Sequence, residues 1–216
     1  MKHFTQLLRV GVWAAVALTA YSGQSQLLFS DDFSSGLGQW TGKDGGTHQG
    51  VIITDPLSSG HGGVLTFTGL NAAGDIFTIS PFASSGGITI SFDYLGLPGL
   101  GGAPDDLGGF VGASPGLNDG AWLAGTSPLY PGAFQLVDDG NWHRVVLTLD
   151  GPVNPFHLMV EDWVTSGGVG GDAYFDNFQI VAVPEPSTLG LLVCGIVCVV
   201  VFRRRRLHRV SNHHAA

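Results

Sequence analysis

Between residues 27 and 183, apolar residues recur at every second position in short runs. Each run is closed by a cluster of Gly, Pro, Asn, Asp or Ser, and no stretch of useful length keeps a helical period. Period two sends successive side chains to opposite faces of a strand, so a chain patterned this way folds into sheets rather than helices. In the clearest run Ile88, Ile90, Phe92 and Tyr94 share one face and Thr89, Ser91 and Asp93 the other. Val145, Leu147 and Leu149 alternate in the same way with Arg144, Val146 and Thr148, and Asp138-Asp139-Gly140-Asn141 just before them reads as a hairpin turn after a strand at 134–137. Further strands are expected near 27–33, 51–54, 64–68, 75–79, 156–160 and 173–181. Eight or nine strands in this stretch predict an all-β fold, two antiparallel sheets packed as a jelly-roll-type β-sandwich. Residues 96–120 hold nine glycines and are expected to form a long loop between its halves.

Composition excludes disorder throughout, because apolar residues make up 44% of the 216 and charged residues only 12%. The charge is unevenly placed. Between 27 and 183 only Lys43 and Arg144 face sixteen Asp and Glu, a balance of −14. So acidic a stretch repels nucleic acid and anionic lipid, leaving cations and neutral glycans as its natural partners.

The remaining cations mark the two ends. Residues 1–22 carry Lys2 and Arg9, an apolar run over 10–20, and Ala20 and Ser22 spaced like an A-x-A cleavage site: a secretory signal peptide, since the run is far short of the ~20 residues of a membrane span. At the other end, Pro184 and Pro186 block a helix upstream and Ser187 can cap one that starts near Thr188. Fifteen residues to Phe202 rise only ~22 Å against a ~30 Å hydrocarbon core, so the expected single transmembrane helix needs snorkelling arginines or local thinning. Arg203, Arg204, Arg205 and Arg206 then orient it, staying cytoplasmic with the tail 207–216 and leaving 27–183 outside. Both cysteines, Cys194 and Cys198, lie in this run, so the exported stretch has no disulfide.

The order Pro184-Glu185-Pro186, apolar run, arginine cluster over 184–206 resembles the PEP-CTERM sorting domain of Gram-negative bacteria that make exopolysaccharide. The resemblance implies an exosortase as partner, a membrane-embedded, cysteine transpeptidase-like enzyme. It would act near Pro184, Glu185 and Pro186 as substrate positions, on a chain held in the inner membrane and bound for the cell surface or extracellular matrix. Family members usually end soon after the basic cluster, whereas here residues 207–216 follow. Leu28-Phe29-Ser30-Asp31-Asp32-Phe33 and Ala173-Tyr174-Phe175-Asp176-Asn177-Phe178-Gln179-Ile180 resemble the first and last strands of carbohydrate-binding-module jelly rolls. That likeness implies a structural calcium near the terminal strands, drawing on Asp31 or Asp32 and on Asp176. Period two puts Asp176 on the face of Tyr174, Phe178 and Ile180, where a carboxylate must be hydrogen-bonded, paired or bound to a cation.

Of the tryptophans in this stretch, Trp122, Trp142 and Trp163 are candidates for stacking on sugar rings, each with core filling as the alternative; Trp122 is the least core-like. Catalytic signals are poor. Gly112-Ala113-Ser114-Pro115-Gly116 fits G-x-S-x-G, but Pro115 lacks the N–H that the residue after the nucleophile lends to an oxyanion hole. Glu161 and Asp162 are adjacent in a strand and point apart, and His48, His61, His143 and His157 lack metal-ligand spacing. The sequence therefore reads as an exported, non-enzymatic surface or matrix protein, structural or adhesive, contacting exopolysaccharide or another glycan. A polysaccharide-acting enzyme with a divergent site and a metal-stabilised scaffold are the alternatives.

Overall fold

A computed structural model describes residues 25–67, 76–97, 108–127, 130–163 and 172–183. The expected signal peptide, the expected membrane helix, Pro184-Glu185-Pro186, the four arginines and the side chain of Trp163 lie outside the described residues. Contacts group Gln26–Val183 into one compact unit.

In chain order this unit comprises β1 (Gln26–Asp31), β2 (Trp40–Thr41), β3 (Gly50–Thr54), β4 (Gly63–Phe67), β5 (Ile76–Thr78), β6 (Phe82–Ser84), β7 (Gly87–Gly96), β8 (Gly108–Ser114), β9 (Ala121–Gly125), β10 (Phe134–Gln135), β11 (Trp142–Leu149), β12 (Val153–Trp163) and β13 (Ala173–Val183). One sheet runs β11-β7-β13-β4-β3 with β1 also beside β13; the second runs β10-β9-β8-β12-β5-β2 with β6 also beside β12. All pairings are antiparallel except that of β10 with β9. The core lies between the sheets. Ile88, Ile90 and Phe92 of the first meet Val111, Leu158 and Val160 of the second, all fully buried. Period two is thus read correctly in β7 and β11, where Val145 and Leu147 are buried and Arg144, Val146 and Thr148 exposed.

Three expectations are corrected. First, β13 carries a bulge: its pairing with β7 passes from Asp176↔Asp93 to Gln179↔Ser91, one residue more on β13 than on β7. Asn177 takes up the extra residue in the left-handed region, φ 51°, where an Asn is tolerated. Facing parity flips there, so Phe175, Phe178 and Ile180 enter the core while Tyr174 and Asp176 lie on the outer face, not on the face of Phe178. Second, 134–137 and β11 do not form a hairpin. Phe134 and Gln135 pair with β9 and Leu136 N–H donates to Gly125 O, pinning the segment to the second sheet, while the Tyr94 hydroxyl of β7 in the first sheet donates to Asp138 Oδ1 at 2.6 Å, so that 138–141 crosses between sheets. Third, the glycine-rich stretch contains a buried strand, β8. A Cβ on Gly109 would stand 2.5 Å from the Tyr94 ring and 2.7 Å from that of Phe175; glycine there permits close packing.

Aromatic rings bind the layers at the terminal strands. Phe178 lies 5.2 Å from Phe92, 5.7 Å from Trp40, 6.0 Å from Phe33 and 6.2 Å from Phe175, centroid to centroid. Truncating such a side chain removes its transfer energy and leaves a cavity. Phe178→Ala is expected to cost about 3–5 kcal/mol in urea unfolding, whereas exposed Thr148→Ala should stay within about 0.5 kcal/mol.

Candidate functional site

Two patches outside the core gather chemistry-bearing side chains. The first forms where residues 55–62, joining β3 to β4, fold over the outer face of the first sheet. Asp55 organises this loop. Its carboxylate accepts the N–H of Leu57 at 2.9 Å, the N–H and hydroxyl of Ser59 at 2.5 and 2.9 Å, and the Trp142 indole N–H at 3.3 Å. Burial pushes its carboxyl up, but these donors together outweigh burial and bring it down to about 2. The loop thereby lays His61 flat on Trp142, ring centroids 4.0 Å apart and planes 23° apart.

Beneath His61 the register of β7 and β13 sets Asp93 and Asp176 side by side, a like-charged pair that destabilises a sheet unless compensated. His61 Nδ1–H donates to Asp176 Oδ2 at 2.7 Å, the tautomer its carboxylate partner demands, and the same nitrogen lies 4.0 Å from Asp93 Oδ2. Asn177 Nδ2 donates to Asp93 Oδ2 at 2.7 Å, while Arg144 donates to Asp93 Oδ1 at 3.1 Å, Asn177 O at 3.0 Å and Ser91 Oγ at 2.8 Å. For Asp176 burial dominates and pushes its carboxyl up, against the His61 and Asn177 hydrogen bonds that pull it down. Sequence spacing could not reveal this cluster, since its members come from β7, β11, β13 and a loop. The one hint was Arg144, one of only two cations in an acidic stretch.

The carboxylates expected to hold calcium are otherwise engaged. Asp31 Oδ1 accepts Phe33 N–H at 2.8 Å and Oδ2 accepts the Trp40 indole at 2.8 Å, which ties β1 to the core. Asp32 is exposed and bonds the hydroxyl and N–H of Ser34 at 2.6 and 3.0 Å, and these bonds hold its carboxyl below the ordinary range. Asp176 serves His61. No group of three His, Cys, Asp or Glu side chains that could hold a metal forms among the described residues, and each of these three carboxylates is spent on hydrogen bonds within the chain.

The second patch lies on the outer face of the second sheet. Val111 faces the core; its neighbour Phe110 faces away and packs against Trp122 at 5.1 Å and Tyr130 at 5.7 Å. Trp122 is half-buried and Tyr130 is 41% exposed. Gly112 makes room for them: a Cβ there would meet the Trp122 ring and the Met159 methyl, both at 2.9 Å. Trp122 and Trp142 therefore stand on different sheets and cannot share one platform, and one face of Trp142 is already covered by His61. Ser114 is buried, its hydroxyl spent on the carbonyls of Gly116 and Asp119. Glu161 and Asp162 are both buried, at successive positions of β12 opposite Phe110 and Gly109.

Residues 182–206 match the family model of the PEP-CTERM protein-sorting motif. No curated protein matches this chain. Among solved structures it is similar to the K3 cleaved adhesin domain of Lys-gingipain from Porphyromonas gingivalis W83, at 17% identity over 74% of this chain and 99% of that one, TM-score 0.49. It is likewise similar to the CBM22-1 xylan-binding domain of Xyn10C from Paenibacillus barcinonensis, at 19% identity over 74% and 96%, TM-score 0.43. A third is the C-terminal CBM6 of LamC, a laminarinase from Zobellia galactanivorans, at 15% identity over 73% and 98%, TM-score 0.35.

Two outcomes follow from the geometry. With Asp31, Asp32 and Asp176 engaged inside the chain, melting of the full chain should be unchanged by EDTA; a drop would show that calcium binds. Because Asp55 sits lower in the fold than its ordinary 3.8, its stabilisation is complete above about pH 4 and is lost as pH falls toward 2. Buried Asp176 has the opposite sign: acid relieves it. The stability difference between wild type and Asp55→Asn should therefore shrink by about 1–2 kcal/mol between pH 4 and pH 2, read by urea titration at each pH.

Proposed function

We propose that the chain is exported, held in the inner membrane by its C-terminal signal, and processed by an exosortase that delivers a non-catalytic, jelly-roll-type sandwich to the cell surface or matrix. The observation that carries this reading is the position of the sorting motif. It begins at residue 182, and the last strand of the sandwich ends at Val183. β13 is the strand on which the first sheet depends, paired with β7 on one side and with β1 and β4 on the other. A cut near Pro184-Glu185-Pro186 therefore falls outside the ladder and leaves every strand of the sandwich in place.

At its destination the sandwich acts as a structural or adhesive module, with glycan contact through Trp122 and Tyr130. The support is physical. Half-exposed indole and phenol rings present flat apolar faces with polar tips, suited to sugar rings, and the −14 balance of residues 27–183 favours neutral over acidic polymers. Ser114, the one residue placed like an acyl-transfer nucleophile, spends its hydroxyl on a turn.

Replacing Pro184, Glu185 and Pro186 together by alanine should leave an uncut, membrane-bound chain in the native host, seen as a larger band in the membrane fraction. Normal release of the domain would refute the sorting role. In affinity electrophoresis through the host's own exopolysaccharide, Trp122→Ala should abolish retardation with no product formed, whereas equal retardation of variant and wild type would exclude this patch.

A further inference from the structure

The edges of the second sheet are closed by brevity, since β10 and β2 have two residues each. The first sheet ends differently. Its outer strand β11 pairs with β7 in unbroken register for eight residues, from Trp142↔Leu95 to Leu149↔Ile88, and among the described residues carries no strand on its other side. A long, regular edge presents a row of unpaired backbone donors and acceptors, which proteins ordinarily guard with a proline, a bulge or an outward charge. β11 has no proline, no lysine and no bulge. Its one charge, Arg144, is folded back onto Asp93, Ser91 and the Asn177 carbonyl of its own sheet. At mid-strand Val146 is 56% exposed.

Two hollows flank this strand. One of about 140 Å³ lies between 134–137 and His143, Arg144 and Val145. The other, about 540 Å³, lies between Thr148, Leu149 and the residues Ala113, Pro115, Pro152 and Phe156. Side chains of an added strand project alternately, so those pointing toward the second sheet meet a recess at one end and a shallow, open surface at the other. The ends of β11 are bounded by the exposed carboxylates Asp139 and Asp150. Two copies of a domain with a −14 balance repel each other, which argues against self-pairing and for a cationic guest.

We propose that the open edge of β11 receives an extended peptide segment of a partner protein, β-branched at its centre and basic at both ends, as an added strand of the first sheet. Main-chain hydrogen bonds supply the affinity of such an addition and side-chain sockets its register. This surface is separate from the Trp122 patch and does not depend on glycan binding.

The test uses the full-length chain in detergent micelles and two synthetic peptides, Lys-Thr-Val-Thr-Val-Thr-Val-Lys and its counterpart with Glu at both ends. The expected result is binding of the Lys-ended peptide at least tenfold tighter than the Glu-ended one at low salt, with new amide-exchange protection at 142–149. Val146→Lys should weaken that binding at least tenfold. Equal affinity for the two peptides, or protection gained elsewhere, overturns the proposal. So does concentration-dependent pairing of the free chain that Val146→Lys abolishes, since the occupant would then be a second copy. Should Val146→Lys lower the melting temperature, the location of exchange protection in the wild-type chain decides.

Discussion

The extra residue at Asn177 sets the two faces of the first sheet, and much else follows from it. Without it, strict alternation along β13 would turn Phe178 and Ile180 outward once Phe175 faces in. With it, Phe175 and Phe178 both reach Phe92, and Phe178 closes the contact with Phe33, just after β1, and with Trp40 of β2 in the second sheet. Asp176, set outward by the same count, is left opposite Asp93, and this pair creates the demand that His61, Asn177 and Arg144 satisfy. The core and the polar network outside it are two consequences of one backbone irregularity.

That dependence also explains what was legible in the sequence. The two-sheet, all-β architecture could be read because β7 and β11 keep an unbroken period of two, and burial of one face is what the period encodes. A bulge leaves no such trace: nothing in Tyr174-Phe175-Asp176-Asn177-Phe178 announces an inserted residue except an Asn, which occurs in many places for many reasons. The polar network was invisible for a related reason, as its members lie far apart in the chain and meet only through register. Residues 134–137 looked like half of a hairpin because the turn signal after them is real. It serves instead a crossing between sheets, and Leu136, Tyr94 and Asp138, which decide the matter, act over distances that local pattern does not reach.

Glycine misled in an instructive way. A high glycine content reads as looseness when the unfolded chain is considered, because glycine loses the most entropy on folding. In β8 and β9 it marks tight approach. Gly109 lies under Tyr94 and Phe175, Gly112 under Trp122 and Met159, and Gly125 under the ring of Phe110 at 2.3 Å from where a Cβ would be. Gly109 thus meets rings of the opposite sheet across the core, while Gly112 and Gly125 meet rings on neighbouring strands and let the aromatic patch of the second sheet pack close to its backbone.

The balance of charge bears on where such a domain can work. Of the two cations between 27 and 183, Lys43 sits 3.8 Å from Asp119 in an exposed pair that adds little, and Arg144 is held inside the polar network. Neither is available to neutralise the surface, which stays acidic throughout, and the domain has no cysteine with which to brace itself against that repulsion. Its cohesion must come from the aromatic core and the strand ladders, those of β13 and of β12 with β8 among them. A −14 balance repels further copies and anionic membranes and favours basic or neutral partners. These are the properties on which the proposed release from the inner membrane and retention in a matrix outside would draw.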